Sequence, residues 1–403
     1  MYTLIEKPEL RAPIKSWLPP EEIEPGAMEQ LVNTANHPEI GAHVAVMPDC
    51  HVGYGVTIGS VVPTVNAVIP NAVGVDIGCG IHAIQTGIPL DPGRMGQRFW
   101  REWAGQMARE VPTGFSWHKA PQKLGALDRR LRASSLQRLI REKAAVQLGT
   151  LGGGNHFLEA QVDEDGGIWL MVHSGSRNTG LQIANYYNRQ AIAVTERRRL
   201  AVAKDLASLP LDDRIAQDYV EDMGWATDFA LASREQMGEK MLRAFYRVLD
   251  RQGIAYDAPD ALPSINIHHN FAQLEEHGGE RVMVHRKGAT SAYAGQLGII
   301  PGSMGAKSYI VRGLGNDESF RSCSHGAGRR MGRNAAKKAI TAAEFAASLE
   351  GTYSKASMSY VDEAPGAYKD VDVVVGRQAD LVEVVHTLRP VMTVKGDSRA
   401  KED

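Results

Sequence analysis

The sequence predicts an α+β fold: one large mixed domain in which glycine-rich strands and turns surround a central cleft, with long helices at the periphery. From Gly59 to Gly87 the chain is β-branched and punctuated by glycine, as in Ser60-Val61-Val62-Pro63 and Ala67-Val68-Ile69-Pro70, the pattern of strands joined by tight turns. Two tracts, about 91–148 and 181–251, switch to helical periodicity rich in Arg, Glu and Ala. Residues capable of chemistry are spread from Asp49 to Lys395 with no repeat, low-complexity segment or linker between them. Any cut would separate them, so residues 1–403 read as a single domain with two helical insertions.

Composition narrows the class. With 403 residues, 43% apolar and 23% charged, the chain is ordinarily globular, and a net charge of −2 gives no global argument for a nucleic-acid partner. Cys50, Cys79 and Cys323 are odd in number and widely separated, which fits a reducing, cytoplasmic setting better than a disulfide framework. No apolar run is long enough to span a bilayer and the N-terminus lacks a secretory pattern, so no membrane partner is expected.

Taken in order, a helix is predicted from about Pro25 to Asn36, then a strand at Val44-Ala45-Val46-Met47 running into the polar turn Pro48-Asp49-Cys50-His51. Helices follow at Arg94–Arg109 and Leu127–Gln147. The strand Ile168–Val172 delivers His173 into Ser174-Gly175-Ser176-Arg177. The tract 181–251 divides at Leu209-Pro210-Leu211-Asp212-Asp213 into two long helices, the second bent at Gly224. The Arg197-Arg198-Arg199 run reads as a solvated face. A strand at Ser264–Ile267 leads into His268-His269-Asn270, where adjacent histidines point to opposite faces and only one should enter a given site. Arg286 and Lys287 follow another strand and offer phosphate contacts. A helix is predicted from about Gly328 to Ala339, and the end returns to helix, strand and a charged tail.

The stretch Gly74-Val75-Asp76-Ile77-Gly78-Cys79-Gly80 sets a carboxylate three residues from a thiol. Together a hard and a soft ligand suit a borderline divalent ion such as zinc, manganese or iron, provided imidazoles arrive from elsewhere. An isolated Asp-x-x-Cys is more often a turn carboxylate beside a buried thiol. Four further blocks weigh against that: Asn155-His156, His173-Ser174-Gly175-Ser176-Arg177, His268-His269-Asn270 and Ser324-His325-Gly326-Ala327-Gly328-Arg329. The glycine runs at Gly152-Gly153-Gly154 and Gly302–Ser308 lack the spacing of a nucleotide-binding loop. On these residues alone a binuclear metal-dependent phosphoesterase, or an RNA-binding module with a structural metal, is also open.

In order and over nearly the whole chain, these blocks resemble the RtcB family of RNA ligases. The resemblance implies the RtcB-like fold and two manganese ions held by Asp76, Cys79, His156, His173 and His269, with the Cys79 thiolate shared. It implies that His325 attacks the α-phosphate of GTP and carries GMP, with Asp49 handling a proton or meeting substrate. Nucleotide contacts fall to Asn155, Glu159, Asn270, Ser303, Ser308, Ala327, Gly328, Tyr368 and Lys395, and substrate or phosphate contacts to Arg177, Lys287 and Arg329. The implied partners are RNA ends, a 3′-phosphate or 2′,3′-cyclic phosphate and a 5′-hydroxyl as in tRNA or rRNA fragments, with an archease-like activator by analogy. Cys50 departs from the aliphatic residue usual after Asp49, and as a thiol near the site it is open to oxidation or to competing for metal.

Overall fold

The computed structural model describes residues 1–259 and 261–396; the charged tail expected beyond Gly396 lies outside them. The fold is α+β. A six-stranded sheet runs Thr3–Ile5, Ile14–Ser16, Val44–His51, Ile58–Thr64, Glu280–Lys287 and Asn270–His277, antiparallel except where Ile14–Ser16 meets Val44–His51. A second, all-antiparallel sheet of seven strands runs Ser264–His268, Gly80–Pro89, Gly167–Ser174, Phe157–Val162, Val382–Lys395, Ser308–Gly313 and Leu297–Ile300.

Register in the second sheet builds the site. His268 pairs with Gly80, Gly80 with Ser174, His173 with Phe157, and Phe157 with Lys395. Residues far apart in sequence therefore reach one end of five neighbouring strands, and the loops leaving that end carry Cys79, His156 and His269.

The helix Arg214–Arg251 continues unbroken through Gly224, and the Arg177–Arg197 helix precedes it. Met237, Met241 and Phe245 of the longer helix are buried with Leu158, Leu170, Trp100 and Trp103. Each such side chain contributes about 1.5–3 kcal/mol on burial. Among the described residues, no helix is long and apolar enough to cross a membrane.

Two predicted helices start late. The Gln137–Gln147 helix begins ten residues beyond Leu127, because the N–H groups of Arg132 and Ala133 donate to the Asp222 carboxylate at 2.7 and 2.9 Å instead of entering a helix. The helix expected from Gly328 is the short Arg333–Ala339 segment: Arg329 bridges to Tyr368, and the Arg330 N–H donates to Ala367 O at 3.0 Å. Propensity favoured helix in both places, and long-range hydrogen bonds took the backbone elsewhere.

Candidate active site

Cys79 Sγ lies 3.5 Å from His156 Nε2 and 3.3 Å from His173 Nε2. Asp76 Oδ2 is 3.2 Å from His156 Nε2, and the Nε2 atoms of His173 and His269 are 3.0 Å apart. Cys79, His156 and His173 could hold a metal ion, with their ligand atoms all within 4.8 Å of one another. The imidazoles face it with lone pairs. His156 Nδ1 donates to Leu151 O at 2.9 Å and His269 Nδ1 lies 3.3 Å from Asn270 Oδ1, so both protons sit on Nδ1 and Nε2 is left to bind. Burial, with positive neighbours adding to it, drives His173 and His269 well below the usual histidine range. Burial alone would raise the Asp76 carboxyl, but the His156 ring and a hydrogen bond from Cys79 more than offset it and bring it to about 2. An imidazole-rich set with one thiol and one carboxylate fits a borderline divalent cation.

The two adjacent histidines part as strand geometry requires. His269 joins the cluster, whereas His268 Nδ1 lies 3.1 Å from Gly78 O and 3.1 Å from the guanidinium of Arg234. Arg234 is fully buried on the long helix and donates to Gly78 O at 2.8 Å and Ser174 O at 2.9 Å, fixing both loops that feed the cluster. It sits within ordinary helical periodicity, and no motif marks it.

His325 stands beside this centre, its ring 4.7 Å from that of His269. The Ser322–Ser324 strand, paired with Ala289–Ser291, brings it there. Its Nδ1 is 2.7 Å from Oδ2 of Asp49, which is fully buried, so Nε2 is the free ring nitrogen. The ring lines a cavity of about 540 Å³ together with Asn155, Glu159, Ser303, Arg329, Tyr368 and Lys395, and with Ala327 and Gly328. That volume is within the ordinary range for small-molecule sites.

Two buried carboxylates, Glu159 and Glu363, also line the cavity. Glu159 accepts from Gln161 and Thr393, and burial raises its carboxyl against those hydrogen bonds and Lys395. Glu363 is a hub: Lys395 Nζ donates to it at 2.8 Å, Arg333 at 2.6 Å and the Tyr368 hydroxyl at 3.0 Å. Arg329 stacks on the Tyr368 ring at 4.7 Å and donates to its hydroxyl at 2.9 Å. Burial would raise Glu363, but Lys395, Arg333 and Arg329 bring it down to about 2. Glu363 was not among the sequence candidates; the only signal available was an acidic pair, Asp362-Glu363, ahead of a Pro-Gly turn.

Other expected residues sit further back. Ser308 Oγ lies behind the wall, accepting from Gly302 N at 3.2 Å and Gln161 at 3.0 Å. Asn270 donates to Asp76 O at 3.1 Å and accepts from Gly288 N at 2.9 Å, a brace between loops. Arg177 lies against the Gly152 backbone, 3.3 Å from His156 Nδ1, where a Cβ at position 152 would collide with it. Lys287 donates to the carbonyls of Tyr54 and Asn71, and burial lowers it to about 7. Arg286 corrects its expectation: it is fully buried and paired with Glu275 at 2.5 Å, with no surface left for phosphate. Cys50 packs in an apolar cluster, and burial pushes its thiol up to about 12, away from the thiolate form that would bind metal or be oxidised.

The family profile described as tRNA-splicing ligase RtcB matches residues 30–135 and 122–396. The chain belongs to the RtcB family. It is 42% identical to the RNA-splicing ligase RtcB of Escherichia coli (strain K12), covering 96% of this chain and 98% of that one. It is 32% identical to the tRNA-splicing ligase RtcB of Thermococcus kodakarensis, over 92% and 91% of the two chains. The RNA-splicing ligase RtcB of Mycobacterium bovis is 31% identical, over 91% of this chain and 100% of its own. Similarity to RtcB proteins thus spans the metal cluster, His325 and the cavity alike.

Proposed function

We propose that this chain is a GTP-dependent RNA ligase of one catalytic domain, joining an RNA 3′-phosphate or 2′,3′-cyclic phosphate to a 5′-hydroxyl in tRNA splicing or RNA repair. The observation that carries this reading is the setting of His325: Nδ1 tied to Asp49, a metal-ligand cluster on one side and a cavity on the other. A phosphoesterase needs no such histidine facing such a cavity.

Nε2 of His325 attacks the α-phosphorus of GTP; an N–P bond forms, the bond to the bridging oxygen breaks, and pyrophosphate leaves. Asp49 keeps the Nδ1 proton in place and offsets the ring's positive charge. An oxygen of the RNA 3′-phosphate then attacks the same phosphorus and the N–P bond breaks, restoring neutral His325. The 5′-hydroxyl of the second RNA attacks the activated RNA phosphorus, losing its proton to base, and GMP departs. A cyclic phosphate is first opened by water.

Asp76, Cys79, His156, His173 and His269 would hold two manganese ions. Bound there, such cations supply charge neutralisation at phosphoryl oxygens. Glu159 can accept from guanine N1–H and its amino group, and Tyr368 and Lys395 border the same space. Arg177, Lys287 and Arg329 are assigned to phosphates; the last two would exchange their internal partners on binding. The cytoplasmic setting is supported by three cysteines that remain free thiols.

The test is incubation with manganese and α-labelled GTP. Label retained on denatured protein, stable to alkali but not acid and lost in His325→Ala, is expected. No label with free phosphate released would overturn the reading in favour of a hydrolase. Ligation assays across 3′- and 5′-end chemistries then fix the substrate.

A further inference from the structure

We infer that the loop 112–119 is a stacking seat for an unpaired base of the RNA beside the joint. This rests on the ligase reading and adds a contact outside the cavity.

Phe115 is 63% exposed and Trp117 45% exposed, two residues apart. Trp17, Trp100, Trp103, Trp169 and Trp225 are each 3% exposed or less, so this loop breaks the rule the other tryptophans follow. Large rings left in water forgo the stabilisation of burial, and paired on one loop they mark a surface that another molecule covers.

The loop is fastened by its backbone. Leu151 N donates to Pro112 O at 2.9 Å and Gly114 N to Gly152 O at 2.6 Å; further on, His118 N donates to Val146 O at 2.9 Å and Gln122 N to Ala145 O at 2.5 Å. The rings are therefore presented from a fixed frame. That frame is continuous with the site, because Leu151 O accepts from Nδ1 of His156 and Gly152 lies under Arg177.

Charge selects the occupant. Between Glu110 and Asp128 the sequence has no acid, and Lys119 and Lys123 are exposed. Aromatic faces flanked by lysines suit a nucleobase and its phosphate, and stacking tolerates any sequence because every base has a π-face.

The test uses the full chain with manganese and a fluorescein-labelled single-stranded oligoribonucleotide ending in a 3′-phosphate. The Phe115→Ala/Trp117→Ala double variant is expected to weaken binding on the order of tenfold or more. Self-labelling with GTP, which needs no RNA, serves as its folding control. RNA should quench wild-type tryptophan emission, and Trp117→Phe should keep the affinity while losing the quench, since the other tryptophans are buried. Unchanged affinity in the double variant together with no quench in the wild type would overturn the seat and leave the loop to a protein partner. Binding and quenching are read without GTP, so they decide the seat even if self-labelling fails in the wild type.

Discussion

Nδ1 of His325 lies 2.7 Å from Oδ2 of Asp49, and that same oxygen faces the backbone N–H groups of His325 and Gly326 at 3.1 and 3.3 Å. One carboxylate oxygen thus orients the ring and shapes the loop. Asp49→Asn keeps the size but loses the charge and reorders those contacts. Self-labelling with GTP is expected to slow by roughly 10²–10⁴-fold with the melting temperature little changed. An unaltered rate would remove Asp49 from the chemistry.

Cys79 should report on metal directly. Loaded with cobalt(II), the wild type is expected to show a thiolate-to-metal charge-transfer band that Cys79→Ser lacks, with affinity lowered by at least ~10–100-fold. A band that survives the substitution would mean that the ion binds elsewhere.

Glu363 and Lys395 are each almost fully buried and meet at 2.8 Å. Removing one partner strands the other's charge, at a cost of about 3–5 kcal/mol. Glu363→Ala should lose stability on that scale in denaturant titrations. Glu363→Gln should lose less and raise the KM for GTP more than it lowers kcat. Equal losses for both variants would argue against the charge as the cause.

Mild acid should destabilise the fold. His285 is fully buried, with Nδ1 2.8 Å from Val62 O and Nε2 accepting from Ile69 N at 2.9 Å, so the neutral ring fills both positions. Burial lowers it from 6.5 to about 4, and it does the same for His37, His43 and His51. Between pH 6.5 and 4 the unfolded chain binds more protons than the folded one, so stability is complete above 6.5 and falls as the pH drops. Melting curves from pH 7.5 to 4.5 check this; a flat profile would refute it.

A Cβ at Gly175 would run into the Asp76 carboxylate. Gly175→Ala is expected to weaken metal binding while the circular dichroism of the fold is retained. Titration calorimetry with manganese gives the answer, and wild-type affinity in the variant would show that the carboxylate can move aside.

The α+β class and the convergence of residues 76, 79, 156, 173, 269 and 325 were legible because each lies in its own short glycine-rich or polar block, where chemistry leaves a local signature. Glu363 and Arg234 were not, since a hub carboxylate and a buried guanidinium take their meaning from partners on other elements of the fold, such as Lys395 for the one and the Gly78 and Ser174 carbonyls for the other. Arg286 misled for the same reason: a cation after a strand looks the same in sequence whether it meets phosphate or Glu275. The helix starts near residues 127 and 328 failed where Asp222 and Ala367 claimed backbone groups that propensity would have placed in a helix.

The pairing of Phe157 with Lys395 sets an order of assembly during synthesis. A chain emerging from the ribosome has every cluster residue once position 269 is out, and His325 follows. The cavity beside His325 lacks a wall until the Val382–Lys395 strand slots in beside Phe157–Val162. Under the proposed ligase reading, the space for the nucleotide is therefore complete only in chains that have finished their central sheet.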